Sequence, residues 1–137
     1  MSTLLLPDAA LVCLERSAET LREAMVTAEA PRRYALAHVA ALRAAAAVLA
    51  ARARPVAPRR GARQRNAWVL LADVAPELVE WATFFSAGSA KRAAAEAGSR
   101  HAVTVREADD LVRDADRFLA AVEAVLGLVG HAPIRVA

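Results

Sequence analysis

The stretch YALAHVAALRAAAAVLA, residues 34–50, decides the fold class of this chain. It is rich in alanine, the residue with the highest helix propensity, and it contains neither glycine nor proline. Its apolar residues recur at steps of three and four, which is the period of one helix face: Ala35, Val39, Leu42, Ala46 and Leu49. The pattern predicts a helix from Pro31 to about Ala53 with this stripe buried, and its alanines allow a neighbouring helix to approach closely.

The same period returns on both sides of this helix. It predicts an earlier helix from Asp8 to about Ala28 and a short helix capped by Asn66, which restarts or kinks at Pro76. Later in the chain, the helical stretch AKRAAAEAG stops at Gly98.

The closing helix begins at Thr104 and Glu107, whose spacing is that of a capping box. Its apolar stripe continues to Gly127. Four main helices with short connections, one of them split by Pro76, predict an all-α antiparallel bundle of four to five helices. We expect Trp68, Trp81, Phe84 and Phe85 to lie in its core.

Length and composition favour one domain. The chain has 137 residues, 57% of them hydrophobic, which is enough to bury a core. We expect a single domain over residues 1–137 with its core at about 8–127, an arginine-rich connection at 52–65 and a flexible tail at 128–137.

The single cysteine, Cys13, excludes an intrachain disulfide and fits a reducing cytoplasm. The N-terminus lacks a basic leader and no stretch is apolar enough for a bilayer, so we expect neither secretion nor membrane insertion.

Charge is unevenly distributed along the chain. The connection at 52–65 contains six arginines and no acid: Arg52, Arg54, Arg59, Arg60, Arg63 and Arg65. Without these six, the 18 basic residues fall to 12 against 15 acidic ones, so the net charge of +3 conceals a basic segment on a slightly acidic body. Clustered guanidinium groups match phosphate oxygens and attract polyanions, which predicts a phosphate-binding segment. The alternative is that these arginines serve only solubility.

The segment RRYALAH, residues 32–38, contains the residue types that metal-free RNA cleavage needs. Histidine acts as acid or base at neutral pH, and arginine holds a phosphate and its developing charge. On a regular helix Arg33 and His38 point about 140° apart, and Arg32 and His38 about 120° apart. The arginines lie in the first turn, where long side chains can reach round, so a shared cleft stays open as an interpretation. The alternative is a histidine at the edge of an interface, bonded to a neighbouring helix.

Metal and cofactor sites are not predicted. The three histidines are scattered, and no Glu-x-x-His spacing or similar ligand set is present. We therefore expect neither a metal nor a cofactor.

Three segments resemble the HEPN superfamily (higher eukaryotes and prokaryotes nucleotide-binding domain), in particular a small actinobacterial branch of it. They are YALAHVAALRAAAAVLA, APELVEWATFF and READDLVRDADRFLAAVEAVLG, within residues 8–127. The resemblance implies a helical bundle, usually a homodimer. In many members it implies a metal-independent endoribonuclease marked by Arg, four to six residues, then His. Arg33 and His38 have this spacing, as do Arg32 and His38, although the family motif generally lies in the C-terminal half.

Two functions follow as hypotheses. The first is an RNA- or nucleotide-binding HEPN-like homodimer that uses its arginine-rich connection. If it also cleaves RNA, His38 is the general acid or base and Arg33, with Arg32, holds the phosphate. The second is a non-catalytic protein-interaction module whose apolar face docks a partner such as a nucleotidyltransferase or an antitoxin.

Overall fold

A computed structural model describes residues 6–52 and 63–136, except for the side chains of residues 63–66. Over these residues the regular structure is entirely helical, which confirms the all-α bundle. The helices are α1 (Asp8–Val26), α2 (Ala30–Arg52), α3 (Arg63–Val74), α4 (Val79–Ala87), α5 (Ser89–Glu96) and α6 (Val105–Val125). A 3₁₀ turn, Pro76–Leu78, joins α3 to α4.

Helices α1 and α2 form an antiparallel hairpin. Three residues separate them, and their predicted bounds agree with the observed ones to within two residues. The buried Ser17 hydroxyl donates a hydrogen bond of 2.7 Å to the Ala40 carbonyl oxygen, which joins the two helices at mid-length. The hydroxyl satisfies an extra backbone acceptor where only small side chains separate the helix axes.

The buried face of α2 differs from the predicted stripe. It consists mainly of alanines together with Tyr34, His38 and Val48. Val39, Leu42 and Leu49, which we expected in the core, are only partly buried. The core therefore takes the small residues because they permit close helix packing, and it leaves the larger ones on the outer side of α2.

The proline at the end of α3 reverses the chain. Pro76 starts the 3₁₀ turn, and the Trp68 and Phe85 rings then stack across the α3–α4 pair with centroids 5.2 Å apart.

Helix α3 begins at Arg63, so Asn66 lies inside the helix instead of capping it. The expectation that Phe84 is core is wrong, because neighbouring helix residues point about 100° apart and only Phe85 faces inward.

Helix α6 closes the bundle with a complete capping box. Thr104 Oγ1 accepts from the Glu107 N–H at 3.1 Å, and the Glu107 carboxylate accepts from the Thr104 N–H at 3.0 Å. Gly98 after α5 and Gly127 after α6 have φ of +86° and +77°, the left-handed conformation typical of residues that follow a helix. Both helix ends lie where the sequence predicts them.

Helices α2 and α6 run in the same direction. Near their first turns Arg33 pairs with Asp109, and near their last turns Arg52 reaches the Val125 carbonyl oxygen. The four main helices, α1, α2, α4 and α6, thus alternate in direction along the chain. Helix α2 is long and apolar enough to cross a membrane by composition, but 56% of that stretch is buried inside the bundle. Its burial is that of a core helix.

Candidate functional site

His38 lies in the interior of the bundle rather than at the edge of an interface. Its side chain is 1% exposed. Its Nε2 atom lies 2.9 Å from the carbonyl oxygen of Phe85 in α4. The rings of Trp68 and Phe85 stand at 89° to the imidazole, with centroids 6.2 and 5.8 Å away. The histidine therefore ties α2 to the α3–α4 pair.

The surroundings of His38 favour its neutral form. Because a carbonyl oxygen only accepts, Nε2 carries the hydrogen and donates it to Phe85. The other ring nitrogen, Nδ1, is buried and has no hydrogen-bond partner among the described residues. Burial lowers the pKa of His38 and outweighs the hydrogen bond to Phe85, which raises it. The one N–H of this ring is used inside the fold.

The two arginines of RRYALAH form ion pairs with residues of other helices. The Nη2 atom of Arg33 lies 3.2 Å from Asp109 Oδ1 of α6, and both side chains are 18% exposed. The angle of this contact is not that of a hydrogen bond, and the buried Arg33 Nε has no hydrogen-bond partner in the described part of the chain. Arg32 forms an exposed ion pair of 3.3 Å with Glu23 of α1. The described chain thus directs Arg32, Arg33 and His38 toward α1, α6 and α4, and it does not bring them together.

The connection at 52–65 is described only at its ends. Arg52 forms an ion pair of 2.9 Å with Glu77 and donates to the carbonyl oxygens of Val74 and Val125 at 3.3 and 3.4 Å. Arg54, Arg59 and Arg60 lie outside the described residues, and so do the side chains of Arg63 and Arg65 in α3. Arg52 therefore joins helix ends, and the phosphate-binding assignment of the other five stays a prediction.

A cleft beside His38 was not predicted from the sequence. It encloses about 380 Å³ between α2, α4 and α5, and its lining includes Tyr34, Phe84 and Lys91. Lys91 forms an ion pair with Glu107 of α6. Burial raises the pKa of Tyr34, and the Lys91 charge opposes part of that rise. The signal available in the sequence is the four-residue spacing of Tyr34 and His38, which places both on one helix face.

Gly88 explains how closely α4 approaches α2 at this cleft. A Cβ atom at this position would lie 3.3 Å from Tyr34 Oη and 3.7 Å from His38 Cδ2. The backbone itself is ordinary, with φ of −83°. The sequence shows Gly88 only as an interruption between two helical stretches, whereas the structure shows that the space for a side chain is already filled.

No metal centre is found in the part of the chain that the structure describes. No three His, Cys, Asp or Glu side chains there are grouped so that they could hold an ion.

A family model described as HEPN_SAV_6107-like HEPN matches residues 24–123, more than half of the chain. The chain belongs to this HEPN family. Comparison with curated proteins and with solved structures gives no match. The matched region of this HEPN domain extends from the end of α1 into α6 and so includes RRYALAH and the arginine-rich connection. The match establishes the family, and the catalytic assignment of Arg33, His38 and Arg32 stays a prediction.

Proposed function

We propose that this HEPN domain binds RNA through its arginine-rich connection, residues 52–65. The observation that carries the proposal is the uniform charge of this segment, which has six arginines and no acid within fourteen residues. Among the described side chains, seven basic ones lie within 4 Å of a carboxylate, and Arg52 is one of them: Arg32, Arg33, Arg52, Lys91, Arg92, Arg113 and Arg117. The other five arginines of the connection have no acid within it and need anionic partners from outside the segment.

The chemistry of the connection suits a polyanion better than a single nucleotide. Besides Arg52, its five guanidinium groups are spread over the twelve residues 54–65, which is long enough to follow several consecutive phosphates. Each arginine can hold a phosphate through two parallel N–H bonds. An RNA strand offers such a row of phosphates. A cytoplasmic location is part of the same proposal, and the free Cys13 thiol supports it.

RNA binding over a salt series tests this proposal. In the connection variant, Arg54, Arg59, Arg60, Arg63 and Arg65 become Ser, whereas Arg52 is kept because it joins helix ends. We expect weaker binding and a shallower dependence on salt. The log–log slope should fall by about 0.7 for each phosphate of a single strand that the variant no longer binds.

A control variant removes the same charge elsewhere. It replaces five exposed arginines by Ser: Arg16, Arg22, Arg100, Arg106 and Arg135. We expect this variant to keep the wild-type slope. Equal losses in the two variants, or no binding by the wild type, would reject the connection as the RNA site.

Cleavage is a separate prediction and needs its own experiment. A buried neutral His38 that donates to a backbone carbonyl is not placed to exchange a proton with RNA in the single chain, so we propose binding without cleavage. RNA incubated in EDTA with the wild type, Arg33→Gln and His38→Gln distinguishes the two outcomes, with circular dichroism as the check on folding. Cleavage that disappears in both folded variants, while binding remains, would make RRYALAH an active site.

The outer side of α2 favours a second candidate function, which is contact with another protein. Apolar residues over almost four turns of this side are only partly buried by the described helices: Leu36, Val39, Leu42, Ala46 and Leu49. A continuous apolar stripe that the fold leaves partly exposed is typical of a protein interface. We propose a homodimer through this stripe, with a nucleotidyltransferase or an antitoxin as the other class of partner.

Sedimentation of Leu42→Glu tests the interface, and Val69→Glu on α3 is the matched control because Val69 is 59% exposed. We expect Leu42→Glu to be monomeric and Val69→Glu to keep the wild-type state at both low and high salt. A monomeric wild type would leave a partner protein as the occupant of the stripe.

A further inference from the structure

The C-terminal segment, residues 128–136, is attached to α6 by one histidine between two carboxylates. His131 Nδ1 lies 2.5 Å from Glu123 Oε1, and His131 Nε2 lies 2.5 Å from Asp116 Oδ1. The two acids are seven residues apart, which places them on the same face of α6. The imidazole thus bridges two successive acidic positions of one helix.

Backbone groups of the segment use the same two carboxylates. The His131 N–H donates to Glu123 Oε1 at 3.2 Å, and the Ile134 N–H donates to Asp116 Oδ2 at 3.4 Å. The Asp116 side chain is 9% exposed and that of Glu123 is 15% exposed. Ile134 and Val136 add partly buried apolar contacts to the core. The Leu128 N–H donates to the Glu123 backbone carbonyl oxygen at 2.8 Å, and the polar anchors of the later described residues meet at His131 and its two acids.

We propose that His131 is a protonation-dependent clasp that docks the C-terminal segment on α6 and releases it when the imidazole becomes neutral. The doubly protonated ring donates one N–H to each carboxylate. The neutral ring keeps only one N–H, so its other nitrogen directs a lone pair at a carboxylate oxygen 2.5 Å away. That contact is repulsive, and moving the segment away from α6 relieves it.

The charges around the clasp set the direction of the switch. Burial alone would lower the pKa of His131, but the hydrogen bonds and charges of Asp116 and Glu123 together outweigh it and raise that pKa. Arg113 and Arg117 line the same groove. They form ion pairs of 3.1 Å with Asp110 and 3.8 Å with Asp114, so much of their positive charge is matched nearby. Arg135, the remaining cation of the segment, is exposed.

The sign of the pH dependence follows. Because the pKa is raised in the docked state, docking is complete below the ordinary histidine pKa and weakens as the pH rises through the raised pKa. One proton is linked to release, so the ratio of docked to released segment changes by at most about tenfold per pH unit. The docked segment and α6 form a groove of about 310 Å³, lined in part by Ala120 and Pro133, and release removes the side of the groove that the segment supplies.

Nuclear magnetic resonance of the full chain tests the clasp. The Ile134 amide and the His131 ring are followed from about pH 5.5 to about pH 8.5, a range that brackets histidine titration. We expect the Ile134 amide shift and its relaxation to change with the same midpoint as the His131 ring, above that of a free histidine. In His131→Gln the amides of 128–136 lose this transition while those of α2 keep their shifts.

Two further variants keep the test decisive. His101→Gln removes an exposed histidine in the α5–α6 connection, and it leaves the transition unchanged if the clasp is correct. Glu123→Gln removes one acid without truncating the side chain, and it lowers the midpoint. A segment whose amides do not respond to pH, or whose response follows His101, would overturn the proposal.

Discussion

His38 and His131 show how the same side chain serves opposite purposes in two regions of one bundle. His38 is buried between aromatic rings with one carbonyl as its partner, and its pKa is lowered by burial. His131 is also partly buried, yet two carboxylates face it and its pKa is raised. The difference teaches that burial lowers the pKa of both rings and that the two anions beside His131 reverse this direction, whereas the single carbonyl beside His38 does not.

Truncation of the two histidines gives the largest expected difference. His38→Ala removes a fully buried ring and one of the two N–H donors to the Phe85 carbonyl oxygen, the other being the Gly88 N–H, so we expect a loss of about 3 kcal/mol in the free energy of unfolding. His131→Ala affects a segment at the surface, and we expect less than about 1 kcal/mol. Urea unfolding measures both. His38→Gln, whose amide can reach the same carbonyl, recovers part of the loss. Equal effects of the two alanine variants would contradict the contrast.

A glycine near each histidine gives the next effect in size. Gly88→Val places a branched side chain against Tyr34 and His38 and forces α4 away from α2, at a cost of about 1–3 kcal/mol. Gly130→Val has no atom within 4 Å of the added Cβ, and we expect a change within about 0.5 kcal/mol. Thermal unfolding of the pair checks this. If Gly88→Val unfolds at the wild-type temperature, α4 can move away from α2 without a loss of stability.

The pH dependence of stability gives the smallest expected effect, and its sign is opposite for the two histidines. A lowered pKa at His38 makes the folded state bind fewer protons than the unfolded one, so its contribution is lost as the pH falls below the ordinary histidine pKa. The raised pKa of His131 gives a contribution that is lost as the pH rises. Each histidine's contribution to the free energy of unfolding is expected to stay below about 1.4 kcal/mol per unit of pKa difference between the folded and unfolded states.

Urea unfolding at several pH values isolates the two contributions. The difference between wild type and His131→Gln shrinks from acid to alkaline pH, whereas the difference between wild type and His38→Gln grows from acid to neutral pH. Slopes of the same sign would contradict the opposite assignments.

The sequence predicts the helices of this protein well, because their signals are local. The bounds of α1 and α2, the Thr104 capping box and the glycines after α5 and α6 follow from period, capping and backbone conformation. The resemblance of three segments to the HEPN superfamily is confirmed by the family match.

The buried face of α2 could not be predicted in the same way. A period identifies an apolar stripe, but an alanine-rich helix is apolar on several sides, and the choice between them depends on which neighbour packs closest. The neighbouring helices pack against the side of α2 that carries Ala37, Ala41 and Ala44, and this leaves Leu42 partly exposed. The chain reversal at Pro76 could not be predicted either, because a proline in the sequence is the same local signal for a kinked helix and for a reversal.

The candidate site was the least predictable part. The helical angles correctly separate Arg33 from His38, but they do not reveal that Asp109 attracts the arginine or that the Phe85 carbonyl holds the ring. These partners lie 76 and 47 residues away along the chain. The contacts of His131 are likewise set by the path of the C-terminal segment, which has no period to indicate it.

Arg52 has a mechanical consequence for the proposed RNA segment. Its guanidinium group holds Glu77 and the last carbonyl groups of α3 and α6 at once, at the point where the connection leaves α2. Tension applied to the connection by a bound strand is thus shared among several helices instead of unwinding the end of one.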